Sequence, residues 1–267
     1  MDLIRIEDPA DPRVAAFLDI RERDLTGRQG RFVAESKVVL DVLLSGSRFA
    51  PESVLLLENR LAGLEGVLRK APPGLPLYIV SSTVMDRIAG FPMHRGILAI
   101  GRKGAPASAE ALLEALPGRA LVAVLVGISN HDNVGAIFRN AAAFGADAVF
   151  LDATCCDPLY RKAIRVSVGA ALKVPFATFD DVSGFTALLD RHGFRQFALS
   201  PRGSADVRDV RRADRVALYL GTEGEGLPAS VLEHMRTLRI SMAPGFDSLN
   251  VAAASAVALH HFSNSPA

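Results

Sequence analysis

Along most of this 267-residue chain, apolar runs of strand length alternate with stretches in helical register. Residues 53–57, 77–80 and 96–100 are short apolar runs, and 120–126, 148–151, 195–199, 216–220 and 238–242 repeat the pattern in the second half. Helical spacing is read over 35–44, 134–144, 161–172 and 249–262. Asp11-Pro12 marks a further helix start, ahead of Val14, Phe17 and Leu18. Thr83 with Asp86 resembles a capping box. The strand runs are apolar throughout rather than alternating, which predicts an α/β fold with a parallel sheet covered on both faces. Ligands of such sheets sit beyond the carboxyl ends of the strands.

Between 101 and 109 the composition changes to small and turn-forming residues, as in a linker. The chain is therefore divided into a small amino-terminal α/β domain, 1–105, and a larger carboxy-terminal domain, 106–267.

Composition narrows the function classes. A hydrophobic content of 49% over this length supports a substantial core. The longest apolar stretches, 120–126 and 251–259, fall far short of the roughly 20 residues that cross a bilayer, so no membrane partner is expected. Acidic Asp2, Glu7 and Asp8 do not fit a secretory signal, and a cytoplasmic protein is expected. Cys155 and Cys156 are adjacent, suit packing better than a staple, and have no histidine cluster with which to build a metal site, so no metal is expected. Net charge is only +1, but basic residues cluster locally: Arg21, Arg23, Arg28 and Arg31; Arg161, Lys162 and Arg165; Arg208, Arg211, Arg212 and Arg215. Solvated surface or phosphate contacts are both open to them.

Three segments at predicted strand ends carry candidate chemistry. Asn133 to Arg139 opens a helix after a strand; Gly135 permits close approach, and Asn133 and Arg139 are both read as facing the strand ends, with a plain helix cap and a surface arginine as the alternative. Gly221, Gly224 and Gly226 form a tight loop that is neither the dinucleotide fingerprint nor a P-loop. Its Glu223 is suited to hold ribose hydroxyls or a backbone amide. The third segment leaves a strand through Pro244-Gly245 and enters the last helix with Ser248 near its cap. No Gly-x-Ser-x-Gly elbow accompanies His94, His131, His260 or His261, which sets hydrolysis aside.

With these segments the chain resembles the SpoU/TrmH group of SPOUT RNA methyltransferases over nearly its whole length. Asn133-x-Gly135-x-x-x-Arg139, Leu220-Gly221-x-Glu223-Gly224-x-Gly226-Leu227, and Ile240-x-Met242 with Ser248-Leu249-Asn250-Val251 resemble the three family motifs. Asp157-Pro158, Lys162, Arg165, Ser167 and Gly169-Ala170 also fit, and 32–35 and 96–99 resemble an accessory RNA-binding domain of ribosomal-protein type. Asn140, Ser241, Ala252 and Ser36 depart from the pattern, where threonine, proline, serine and glycine are common.

The resemblance implies a SPOUT domain with a trefoil knot that holds S-adenosylmethionine by backbone groups around Leu220, Gly221, Ile240, Met242 and Leu249. It implies methyl transfer to a ribose 2′-hydroxyl of structured RNA, with ribosomal RNA favoured over transfer RNA, by a homodimer whose site is completed across the interface. Arg139 is assigned to the reacting ribose and its phosphate, Asn133 and Asn250 to orientation, Ser248 to a phosphate or hydroxyl, and Glu223 to shaping its loop. Arg28, Arg31, Lys162 and Arg165 are the candidate RNA contacts. Few aromatic residues, with no tryptophan and three tyrosines, argue against a large base-stacking platform.

Overall fold

The predicted strands and helices form two units in the computed structural model, which describes residues 3–18, 20, 25, 29–222, 224, 226–233 and 235–263. The first unit is Met1–Ala105 with Asp157–Lys173, and the second is Pro106–Cys156 with Val174–Ala267.

In the first unit β1 (Leu3–Arg5), β2 (Arg31–Glu35), α1 (Lys37–Ser45), β3 (Ala50–Leu57), α2 (Glu65–Leu68), β4 (Leu77–Val80), α3 (Ser82–Ala89) and β5 (Ile97–Arg102) follow in order. The sheet order is β1-β4-β3-β5-β2, parallel across β1, β4 and β3 and antiparallel on both sides of β5. Phe17, Leu55, Met85, Ile88 and Leu98 belong to its core. The Asp11-Pro12 start yields a 3-10 helix, Pro12–Phe17, capped by the Asp11 carboxylate. The expected capping box at Thr83 and Asp86 does not form. Ser81 caps α3 from outside, accepting from the Val84 N–H, while Asp86 accepts from the Met93 N–H at 2.7 Å. Ser36 has φ 98°, a region that favours glycine.

The second unit contains α4 (Ala109–Glu114), β6 (Ala120–Leu125), α5 (His131–Ala143) and β7 (Ala148–Asp152). The chain then runs through α6 (Arg161–Val166), which packs on β2 in the first unit, before β8 (Phe176–Phe179), α7 (Val182–Arg191), β9 (Arg195–Leu199), β10 (Ala205–Asp206), β11 (Arg215–Leu220), α8 (Ala229–Leu232), β12 (Arg236–Arg239) and α9 (Val251–His261). The sheet order is β10-β12-β9-β11-β6-β7-β8. Every ladder between these strands is parallel, as the continuous apolar runs require. All six residues of β6 are buried. On one face Phe150 and Phe179 pack against Phe185 of α7, with ring centroids 5.0 and 4.2 Å apart. Phe138 of α5 meets Phe176, and Phe197 stacks on Phe262.

Two sequence expectations are corrected in this region. The segment 157–173 lies within the range 106–267, yet it groups with the first unit, where Lys103 pairs with Asp157 and the Arg48 N–H donates to the Leu172 carbonyl. The continuous helix expected over 161–172 is broken: α6 ends at Val166, Val168 and Gly169 take φ of 54° and 84°, and Ala170–Leu172 is a separate 3-10 turn.

Candidate active site

The carboxyl ends of β9, β11 and β12, three strands adjacent in the sheet, open into a cavity of about 1170 Å³. Its walls are the segments that leave those strands: Leu199 to Arg202, Leu220 to Thr222 with Gly224, Gly226 and Leu227, and Leu238 to Met242. Phe246 to Val251 closes the remaining side. A parallel sheet puts its ligand site at such a place.

The loop after β11 owes its shape to glycine. A Cβ on Gly221 would lie 2.4 Å from the Leu227 nitrogen and 2.5 Å from the Gly226 carbonyl carbon, so the returning backbone occupies that space. The turn is closed by the Gly226 N–H donating to the Thr222 carbonyl and the Thr222 hydroxyl donating to the Gly226 carbonyl, both at 3.2 Å. The Leu220 carbonyl already accepts from the Val126 N–H at 2.9 Å, which ties this wall to the end of β6. Glu223 lies outside the described residues.

The wall after β12 is pinned by side chains. The Ser241 hydroxyl donates to the buried Asp206 carboxylate, which also accepts from the Arg208 guanidinium at 3.0 and 3.1 Å. The Arg208 guanidinium, with the Ser241 hydroxyl, holds the Asp206 carboxyl well below the usual carboxylate range. Ser241 thus supplies an anchor for the cavity wall. A Cβ on Gly203 would come within 2.3 Å of the Leu238 carbonyl carbon, so the segment after β9 crosses β12 in close backbone contact.

Two asparagines of α5 join the end of this wall to the sheet layer. Asn250, not Ser248, is the cap of α9; its Oδ1 accepts from the Ala252 and Ala253 N–H groups. Its Nδ2 donates to Oδ1 of buried Asn133 at 3.0 Å. Two turns further along α5, Asn140 donates from Nδ2 to the Ala252 carbonyl at 2.8 Å and to the Ser255 hydroxyl at 2.9 Å. Asn133 and Asn140 are seven apart and share a face of α5, whereas Asn133 and Arg139 are about 120° apart around the helix. The expectation that Asn133 and Arg139 face the same place is therefore corrected: Arg139 is exposed and is not among the cavity-lining residues. Asn133 is no cap either, since Asn130 starts α5.

Leu220, Gly221, Ile240, Met242, Ser248, Leu249 and Asn250 all line the cavity, so the second and third segments meet there as read from the sequence. Of the candidate RNA contacts, Arg28 lies outside the described residues. Arg31 is paired with Glu52 at 2.6 Å, Lys162 is exposed, and Arg165 stands 3.9 Å from Glu35. In the third basic cluster Arg208 is paired with Asp206, and Arg215 donates to the Leu113 carbonyl with its guanidinium over Phe194.

Sequence reading missed the wall 199–202, the Ser241–Asp206 anchor and the Asn140 clamp. It also missed buried Asp152, whose carboxylate accepts from the N–H groups of Gly127, Thr154 and Cys155 and so fixes the loop ahead of α5. Cys155 shares this network, its Sγ accepting from the Ile128 N–H, and burial pushes its thiol up. Among the described residues no cluster is able to hold a metal ion, and no helix is long and apolar enough to cross a membrane.

Replacing Asn250 by alanine removes the α9 cap, worth about 1 kcal/mol, and leaves the buried Asn133 oxygen without its donor, worth about 1–3 kcal/mol. Denaturant unfolding is expected to show a loss of about 2–4 kcal/mol. Asn250→Asp keeps the cap acceptor and recovers about 1 kcal/mol of it. A change below about 0.5 kcal/mol in Asn250→Ala, the scale of a plain surface site, would show that the link carries no weight.

Residues 120–260 match the family described as SpoU rRNA Methylase. An uncharacterized tRNA/rRNA methyltransferase of Mycobacterium tuberculosis is 40% identical over 97% of this chain and 91% of its own length. The 23S rRNA (guanosine-2′-O-)-methyltransferase RlmB of Xanthomonas campestris is 31% identical over 75% of this chain and 81% of its own. In fold, the chain is similar to an AdoMet-bound rRNA methyltransferase from Sinorhizobium meliloti, with a TM-score of 0.77, 23% identity and 97% of each chain covered.

Proposed function

The chain belongs to the SpoU rRNA Methylase family, and from that membership we propose that it transfers the methyl group of S-adenosylmethionine to a ribose 2′-hydroxyl of a structured RNA, ribosomal RNA before transfer RNA. The observation that carries the proposal is the cavity itself: described residues of the two family motifs, Leu220 to Thr222 with Leu227 and Ile240 to Met242 with Ser248 to Val251, form adjoining walls of one space at three parallel strand ends. Ribose as acceptor is supported by the relative described as a guanosine-2′-O-methyltransferase, and the donor by the similar structure described as AdoMet-bound.

The residues present fit that donor. The volume suits a nucleoside-sized ligand. Leu220, Leu249 and Phe246 offer apolar surface for a base, and the backbone of 221–222 and 240–242 offers polar groups beside it. When bound there, S-adenosylmethionine supplies a methyl already activated by its sulfonium. The protein's share is to hold the loops closed, through Gly221 and Ser241, and to align an incoming 2′-oxygen, an effect worth roughly 7–11 kcal/mol in well-oriented systems.

Arg139 has the role of receiving the RNA. A guanidinium offers a planar fork of donors and no acceptor, so Arg139 positions a ribose and its phosphate rather than abstracting a proton. Its exposure on α5, away from its own chain's cavity lining, supports a homodimer in which each site is completed by the second copy. Exposed Ala143 on α5 and exposed Ala253 and Val257 on α9 give the outer faces of those helices apolar surface for such a contact. The trefoil knot is part of the same proposal, supported by Ile240 to Met242 and Phe246 to Asn250 bordering one cavity with Leu199 to Arg202 and Leu220 to Thr222.

The test is transfer of labelled methyl into total RNA from a strain lacking the protein, followed by alkaline hydrolysis. Label is expected in a dinucleotide resistant to hydrolysis, because a methylated 2′-oxygen cannot attack the neighbouring phosphate. Label recovered in ordinary mononucleotides would point to a base acceptor and overturn the ribose assignment.

A further inference from the structure

The first unit presents an aromatic side chain that the site above does not use. Phe91 is 40% exposed, and the Arg161 guanidinium carbon lies 5.2 Å from its ring centroid. The turn that carries it is built to hold it out. Gly90 ends α3 in a left-handed conformation with its N–H on the Asp86 carbonyl. The Asp86 carboxylate takes the Met93 N–H, Met93 is buried, and Arg60 donates to the His94 carbonyl at 3.0 Å. Gly96 closes the turn at φ 63°, where a Cβ would come within 2.3 Å of the Leu57 side chain. A ring exposed at the tip of a turn pinned at four points is displayed, not loose.

Its surroundings are cationic. Arg87 and Phe91 border one shallow concavity with Ser82 and Thr83, and exposed His94 and Arg95 continue the turn. Arg165 is four residues beyond Arg161 on α6, and both lie 3.9 Å from the buried Glu35 carboxylate. Asp86 lines the same concavity with its carboxylate on the Met93 N–H, and Glu35 lies between the two arginines of α6. A single ring edged by guanidinium groups does not suit an apolar protein partner. It suits a polyanion that carries flat π-faces.

We propose that Phe91 and Arg161 form a stacking station for one unpaired base of the RNA substrate, with Arg87, Arg95 and Arg165 meeting the flanking phosphates. The proposal rests on the reading of this chain as an RNA-modifying protein and adds to it that the recognised RNA includes a single-stranded nucleotide. Guanidinium on one ring face and a base on the other is the arrangement that nonspecific single-strand sites use. It agrees with the expectation, drawn from aromatic content, that no large base-stacking platform exists: one well-placed ring suffices.

The chain contains no tryptophan, so Phe91→Trp gives the full-length protein a single tryptophan, whose emission is excited apart from that of the tyrosines, at the site. Titration with a ten-nucleotide oligoadenylate is expected to quench it, less so as salt rises, while a blunt ten-base-pair RNA duplex quenches little. Phe91→Ala is expected to raise the half-saturating concentration of total RNA from the deletion strain about 5- to 150-fold in methyl transfer. Its turnover at saturation and its binding of S-adenosylmethionine stay unchanged, and Phe91→Tyr restores the wild-type value. No quenching by oligoadenylate, equal quenching by duplex, or an unchanged half-saturating concentration in Phe91→Ala overturns the proposal. Absence of methyl transfer by the wild-type protein would instead sink the enzymatic reading, and the tryptophan titration would still decide the stacking site.

Discussion

Gly221→Ala is expected to lose binding of S-adenosylmethionine while a neutral control, Gly118→Ala, binds as the wild type does. The added Cβ at 221 meets only backbone, the Leu227 nitrogen and the Gly226 carbonyl group within 2.4–2.7 Å, and backbone cannot step aside as a side-chain tip can. The loop 222–226 must therefore open, breaking the Thr222–Gly226 bonds that shape the cavity wall. Overpacking of this kind costs about 1–3 kcal/mol, which in a binding equilibrium is roughly a 5- to 150-fold loss. At Gly118 nothing lies within 4 Å of the added carbon, so the same chemical change there has no neighbour to displace. Calorimetric titration of the two variants checks the prediction. Wild-type affinity in Gly221→Ala would mean that the loop does not wall the donor site.

The second large effect separates binding from chemistry. Arg139→Ala is expected to keep donor affinity, because Arg139 does not line the cavity of its own chain, and to keep stability within about 0.5 kcal/mol, as exposed sites generally do. Methyl transfer should fall by at least about a hundredfold, the loss seen when one positioned donor is taken from a reacting oxygen. Single-turnover methyl transfer measured beside a calorimetric titration distinguishes the two quantities. Near-normal turnover would remove Arg139 from the reaction.

The parallel sheet was legible because β6, β7 and β11 are buried on both faces and read as unbroken apolar runs. β8 was not, since it is an edge strand of four residues with alternating burial, and β10 has only two residues. The glycine loop and the 240–250 segment were legible as site elements, because their backbone demands leave marks in residue type. Side-chain links were not. Asn250 meets Asn133 across 117 positions and Asn140 meets Ala252 across 112, and nothing in local spacing announces such a pairing. The cap of α9 was not singled out for a related reason: Ser248 and Asn250 are equally good capping types, and only the fold shows that Asn250 takes the Ala252 and Ala253 N–H groups while donating to Asn133. Phe91 was passed over because exposure, unlike hydrophobicity, is decided by the turn that Gly90 and Gly96 impose.

Ultraviolet cross-linking of the wild-type protein with methyl-labelled S-adenosylmethionine, followed by peptide mapping, asks directly where the donor sits. Label is expected on peptides from 199–202, 220–227 and 240–251, the walls of the cavity beyond β9, β11 and β12. Label confined to peptides of the first unit, or none displaced by unlabelled donor, would contradict that assignment.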